Sequence, residues 1–151
     1  MGAAMGREMG SSPGQRSRVI SLDTHVLLWM VDGDAPLGVT TRVAIDEAPE
    51  VFSTISAWEI AMLISRSKLA LAMTPEALFH HLGGVARVRV LAVGTRIALD
   101  AGRMPRFVHG DPCDRIIMAS ARALDCPLVT ADRTILAHAA AGHLRAIDAR
   151  A

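Results

Sequence analysis

A chain of 151 residues that is 51% hydrophobic is long enough for one domain with a real core, and no apolar run approaches the roughly 18 residues of a membrane span, so a soluble cytoplasmic domain without membrane contact is expected. The net charge of +1 excludes a protein that holds nucleic acid by gross charge, and two cysteines, Cys113 and Cys126, exclude a disulfide framework or a zinc motif. Three Phe, two Trp and no Tyr leave no stacking platform of the kind single-strand binders use.

Residues 1–17 are Gly, Ser, Met and Arg with little apolar content, read as a disordered tail without the apolar segment of a signal peptide; residues 18–151 read as one domain. Arg18–Leu22 is a short β-branched run and predicts a buried strand. Asp23-Thr24 then caps a helix, HVLLWMV, which stops at Asp32-Gly33-Asp34. A second helix over Gly38–Ala48 ends at Pro49, and Val51–Ser53 is a brief strand. Ser56 opens an apolar helix to about Arg66, with Ser56 and Glu59 in capping-box spacing. Pro75–Leu82 is helical and stopped by Gly83-Gly84; Val85–Val93 alternates around Arg87 and Arg89 as a strand; Thr95–Ala101 is helical. Asp111 caps a long helix over Pro112–Leu124, followed by a strand at Pro127–Val129, a helix over Asp132–Ala140 and a last strand at Leu144–Ile147. Strands alternating with helices predict an α/β domain: a parallel sheet covered by helices on both faces, with its ligand outside the carboxyl ends of the strands at a topological switch point.

Four acids stand inside apolar stretches: Asp23 in VISLDTHVLLW, Glu59 in STISAWEIAMLI, Asp114 in DPCDRIIMASARAL and Asp132 in CPLVTADRTIL. Taken singly, each reads as a helix cap or as an acid favoured by the helix dipole. Taken together, two acids at strand ends and two at helix starts all face one edge of the predicted sheet. Converging carboxylates repel and call for a hard cation, Mg²⁺ or Mn²⁺, and so for phosphate chemistry. Asp111, followed by Pro112, is assigned to capping, and Asp114 to the metal. Thr24 and Thr130 are placed to orient the neighbouring carboxylates. Arg115 is placed to neutralise the cluster, to steer phosphate, or to make a surface ion pair. Arg103, Arg106 and His109 form the one basic group suitably placed for substrate, whereas His25 and His138 lie in apolar helices and are expected to pack there. No Walker loop, dinucleotide fingerprint or G-x-S-x-G elbow is present.

The runs ISLDTHVLLWMVDGD, STISAWEIAMLISRSKLAL and HGDPCDRIIMASARALDCPLVTADRTIL resemble the PIN domain, and in particular the VapC toxins of bacterial toxin–antitoxin pairs. The resemblance extends from about Arg18 to the C-terminus. It implies a Mg²⁺- or Mn²⁺-dependent ribonuclease with Asp23, Glu59, Asp114 and Asp132 as catalytic metal ligands, an RNA substrate, a cognate VapB-type antitoxin and a homodimer. Cys113 is a departure, since related sequences often carry an aromatic residue there. With no histidine pair expected in the site, water activated by the metal is the better nucleophile than the RNA 2′-hydroxyl. Two other classes remain open on the residues alone: another metal-dependent phosphotransfer enzyme, and a catalytically silent α/β binding module whose acids only cap helices.

Overall fold

A computed structural model of the protein describes residues 18–33, 36–105 and 108–151. The expected tail, Asp34 and Arg106 lie outside these residues. Five strands, β1 (Ile20–Leu22), β2 (Glu50–Ser53), β3 (Val88–Leu91), β4 (Leu128–Thr130) and β5 (Ala146–Asp148), pair in the order β3-β2-β1-β4-β5 with every pairing parallel. Between them run α1 (Thr24–Asp32), α2 (Val39–Glu47), α3 (Ile55–Ser65), α4 (Pro75–Gly83), α5 (Thr95–Arg103), α6 (Pro112–Ala123) and α7 (Arg133–Ala140).

The three central strands are short and apolar because both of their faces are covered. One core gathers Leu22, Val26, Leu27, Phe52, Ile60 and Leu78. The other gathers Val51, Ile117, Met118, Leu128 and Ile135 on the α5, α6 and α7 side. Consecutive residues of β2, Val51 and Phe52, point into different cores, as the period-two alternation of a strand requires. The α/β expectation therefore holds. Chain order reverses direction at β1, which has β2 on one side and β4 on the other. Asp23 directly follows β1 and Asp132 closely follows β4, so both stand at the switch point.

Two local expectations are corrected. The strand expected over Val85–Val93 is confined to Val88–Leu91. Val85 closes a turn onto Val88, and the Arg87 guanidinium is drawn to the α2 end, donating to the carbonyls of Ile45, Asp46 and Ala48 at 2.8, 2.9 and 2.8 Å. Ser56 is not a helix cap. Thr54 takes helical angles, φ −58° and ψ −19°, so α3 begins ahead of Ser56 and Glu59 has no capping role. Gly33 ends α1 in the left-handed region at φ 73°, where a side chain would be strained. Among the described residues, no helix is long and apolar enough to cross a membrane.

Candidate active site

Asp23, Glu59, Asp114 and Asp132 line one open cavity of about 280 Å³ at the carboxyl edge of the sheet. They arrive from four different elements. Asp23 is the N-cap of α1: its Oδ1 accepts from the Thr24 amide at 2.7 Å and its Oδ2 from the Thr130 hydroxyl at 2.6 Å. The same hydroxyl oxygen accepts from the Asp132 amide at 3.0 Å, so one threonine at the end of β4 positions both switch-point acids. Asp132 divides its carboxylate. Oδ1 caps α7 through the amides of Thr134 and Ile135, and Oδ2 faces the cavity. Capping and site-building are here performed by the same side chains.

Of the residues expected to support the carboxylates, Thr130 does so and two others do not. The Thr24 hydroxyl turns away to Ser56 Oγ at 2.9 Å, because Thr24 is already inside α1 and its side chain faces α3; only its amide serves Asp23. Arg115 does not neutralise the cluster. One step along α6 from Asp114 rotates it onto α5, where its guanidinium donates to the carbonyls of Ala101 and Met104 at the helix end. Arg103 is exposed and lines a separate cavity with Arg122, His138 and His143. His25 is exposed at the mouth of the acidic cavity rather than packed, and the partly buried His138 stacks on His143 with ring centroids 4.1 Å apart.

His109 goes beyond its expected role at the substrate. Its Nδ1 accepts from the Asp111 amide at 3.0 Å, which places the proton on Nε2. That Nε2–H lies 3.0 Å from Asp132 Oδ2 and 3.3 Å from Asp114 Oδ2. The His109, Asp114 and Asp132 ligand atoms all lie within 4.8 Å of one another. Asp111 caps α6 as expected, with Oδ1 accepting from the Cys113 amide at 2.8 Å, and it also lines the cavity. Replacing it separates the two roles. Asp111→Ala should cost about 0.5–2 kcal/mol, the range for a lost N-cap, seen as a lower melting temperature, while His109 stays in place because the backbone amide that holds it remains.

The electrostatics follow from this crowding. Burial raises the Asp23 carboxyl above its usual 3.8, against the pull of the Thr130 and Thr24 hydrogen bonds. Burial and then Asp23 raise Glu59. Asp114 is pushed up to about 7, by burial first and then by Asp23 and Asp111. Asp132 goes the other way: burial would raise it, but the His109 hydrogen bond and the Ile135 and Thr134 amides outweigh burial and hold it low. The buried Cys113 thiol hydrogen-bonds Glu59 and is pushed up to about 12, by burial first and then by the neighbouring acids. It is a packing group and not a nucleophile.

A donor set of carboxylate oxygens, several of which resist carrying charge in the protein alone, fits a hard divalent cation. The PIN domain family model matches residues 20–142. The chain belongs to the PIN domain family. It is 31% identical over 120 residues to Ribonuclease VapC22 of Mycobacterium tuberculosis, covering 79% of this chain and 91% of that protein. Among solved structures it is similar to VapBC2 from Rickettsia felis bound to a DNA fragment from their promoter, at 15% identity and TM-score 0.59 over 85% of this chain and 97% of that one. It is also similar to VapBC-1 from nontypeable Haemophilus influenzae, at 19% identity and TM-score 0.58 over 86% and 97%. At these identities the two structures bear on the fold alone.

Sequence reasoning missed Trp29 and Arg150, which also line the cavity. Trp29 had a legible signal. It stands four residues after His25 on α1, and that spacing puts both on the face that reaches the site. Arg150 had none, because it comes from beyond β5.

Proposed function

We propose that this chain is a ribonuclease of the VapC type, the toxin of a toxin–antitoxin pair, and that Asp23, Glu59, Asp114 and Asp132 hold the Mg²⁺ or Mn²⁺ it needs to cleave RNA. The observation that carries this reading is the convergence of four acids from four elements on one cavity at the switch point. The kinship with Ribonuclease VapC22 supports the substrate class. When bound, the cation supplies an activated water and offsets charge on the scissile phosphodiester.

The chain's own residues do the rest. Thr130 and the Thr24 amide hold Asp23 in one orientation. His109 Nε2–H orients Asp132 and Asp114. Asp114, whose carboxyl is pushed up to about 7 by burial and then by Asp23 and Asp111, would serve as a ligand only in its deprotonated form. Arg103 lines a separate cavity, and Arg106, three residues before His109 in the sequence, stays the candidate for guiding RNA. The cognate partner is a VapB-type antitoxin that blocks the site, and the cytoplasm is where both meet RNA. A homodimer belongs to the same proposal.

The test incubates purified protein with tRNA, rRNA and short oligoribonucleotides in Mg²⁺, in Mn²⁺ and in EDTA. Cleavage in either metal and none in EDTA is expected. Equal cleavage in EDTA would overturn the metal mechanism. Intact RNA in every tube would favour a silent module whose acids only cap helices.

A further inference from the structure

Nearly every charged group lining the catalytic cavity is an acid, yet its substrate is a polyanion. Among the described residues the cavity is lined by a single arginine, Arg150. Its guanidinium stands over the Trp29 ring, 5.4 Å from the centroid, and its Nη1 donates to the Ala131 carbonyl at 3.3 Å. No carboxylate among the described residues forms an ion pair with it. An arginine held over an indole within cation–π range, with one N–H group on a backbone carbonyl, keeps its other N–H groups for a phosphate.

The backbone that carries Arg150 is fixed. The Ala149 amide donates to the Thr130 carbonyl at 2.8 Å, continuing the β4 edge, and the Ala149 side chain is fully buried. The Gly38 amide donates to the Ala149 carbonyl at 2.9 Å, and the Thr41 hydroxyl to the Asp148 carbonyl at 2.8 Å. Residues 150 and 151 lie so close to Gly38 that a Cβ there would collide with their backbone. Arg150 is thus anchored both to the end of β4, which Asp132 follows, and to the start of α2. A pre-positioned cation loses less freedom on binding than one that must be ordered.

We propose that Arg150 grips the RNA phosphate next to the scissile one, and that Trp29 is the positioning residue that holds its guanidinium at the cavity wall. This rests on the ribonuclease reading and deepens it. The division of labour is physical. A metal held by the acids serves the reacting phosphate, and a neighbouring phosphate needs its own counter-charge, which the acids cannot supply. Trp29 acts only through the arginine, so a smaller aromatic ring should retain much of its effect and an aliphatic side chain should not.

The experiment compares wild type, Arg150→Ala, Arg150→Lys, Trp29→Phe and Trp29→Leu by single-turnover cleavage of one oligoribonucleotide in Mn²⁺. Anisotropy binding of the same oligonucleotide in EDTA across a KCl series, and a melting curve for each protein, complete it. Arg150→Ala should raise the half-saturating protein concentration about tenfold, as for a lost charge-assisted contact, with a smaller effect on the maximal rate. The slope of log affinity against log salt should fall by about 0.7, the value for one phosphate on a single strand. Arg150→Lys should retain the slope but bind more weakly, since one point charge replaces a fork. Trp29→Phe should resemble wild type and Trp29→Leu should resemble Arg150→Ala. If wild type cleaves RNA and Arg150→Ala, with an unchanged melt, matches it in half-saturation and slope, Arg150 does not touch substrate. If Trp29→Phe is as impaired as Trp29→Leu, the ring is not a platform. Wild type that neither binds nor cleaves RNA would overturn the ribonuclease reading itself, and with it this assignment. Gly38→Ala gives an independent arm: it should weaken RNA binding by displacing the Arg150 segment without changing any residue of the cavity, and normal binding by a folded Gly38→Ala protein would count against the anchoring.

Discussion

Asp23→Asn should leave a folded protein whose RNA cleavage is at background. Asp23 is the most buried of the four acids and is held by two short bonds, from the Thr24 amide of its own helix and the Thr130 hydroxyl at the end of β4. Asparagine keeps the shape and one carbonyl oxygen, so the cap on Thr24 survives. It removes the charge that a hard cation needs and turns the other oxygen into a donor facing the Thr130 hydroxyl. The loss of rate should exceed the about 100-fold that follows loss of an outer partner of a metal ligand. Because burial already disfavours the Asp23 carboxylate, the asparagine protein should melt no lower than wild type in EDTA. In cells, induction of wild type should arrest growth, co-expression of the antitoxin should relieve the arrest, and induction of Asp23→Asn should be harmless. An Asp23→Asn protein that retains full cleavage would make Asp23 a cap and nothing more.

That prediction was legible in the sequence because the α/β alternation places certain residues without any knowledge of contacts. An acid directly after the first strand and another just after the fourth must lie at the carboxyl edge. The parallel order then puts them side by side across the β1–β4 boundary. Thr130 was legible for the same reason. The errors share a different cause. Ser56 and Glu59 have capping-box spacing, but spacing does not fix the conformation of the residue in front, and Thr54 joins the helical turn. Arg115 adjoins Asp114 in sequence and points elsewhere in space, since successive residues on a helix face in directions about 100° apart. The role of His109 depends on a loop that folds back so that the Asp111 amide meets Nδ1, which no local pattern encodes. Arg150 and Trp29 meet across more than a hundred residues, through the final turn of chain packed on Gly38.

The acids that make the site also cost the fold stability, and Asp114 shows how. In the unfolded chain its carboxyl titrates near 3.8; in the folded protein burial, then Asp23 and Asp111, push it up to about 7. Between these two values the folded state keeps a proton that the unfolded state has lost. The stabilising share of this group is therefore complete below about pH 4 and is lost as pH rises through about 7. Asp23 and Glu59 are raised as well and act in the same direction. Asp132 is lowered and acts oppositely, losing its contribution only as pH falls through its folded value. At pH 8 in EDTA, Asp114→Asn should then melt higher than wild type by several degrees, at about 2–4 °C per kcal/mol for a chain of this size. The gap should shrink as pH falls toward 4, where folded Asp114 is protonated and carries no charge into the site. Millimolar Mn²⁺ should raise the wild-type midpoint at pH 8, since a ligand confined to the folded state stabilises it by mass action, and should raise Asp114→Asn less. Melting curves of both proteins at pH 4.5, 6 and 8, at fixed ionic strength with EDTA or Mn²⁺, measure all of this. An Asp114→Asn protein that melts below wild type at every pH, together with a wild type indifferent to Mn²⁺, would mean that Asp114 supports the helix start and not a cation. The metal would then have to be held by the remaining acids without it, and Asp114→Asn should still cleave RNA.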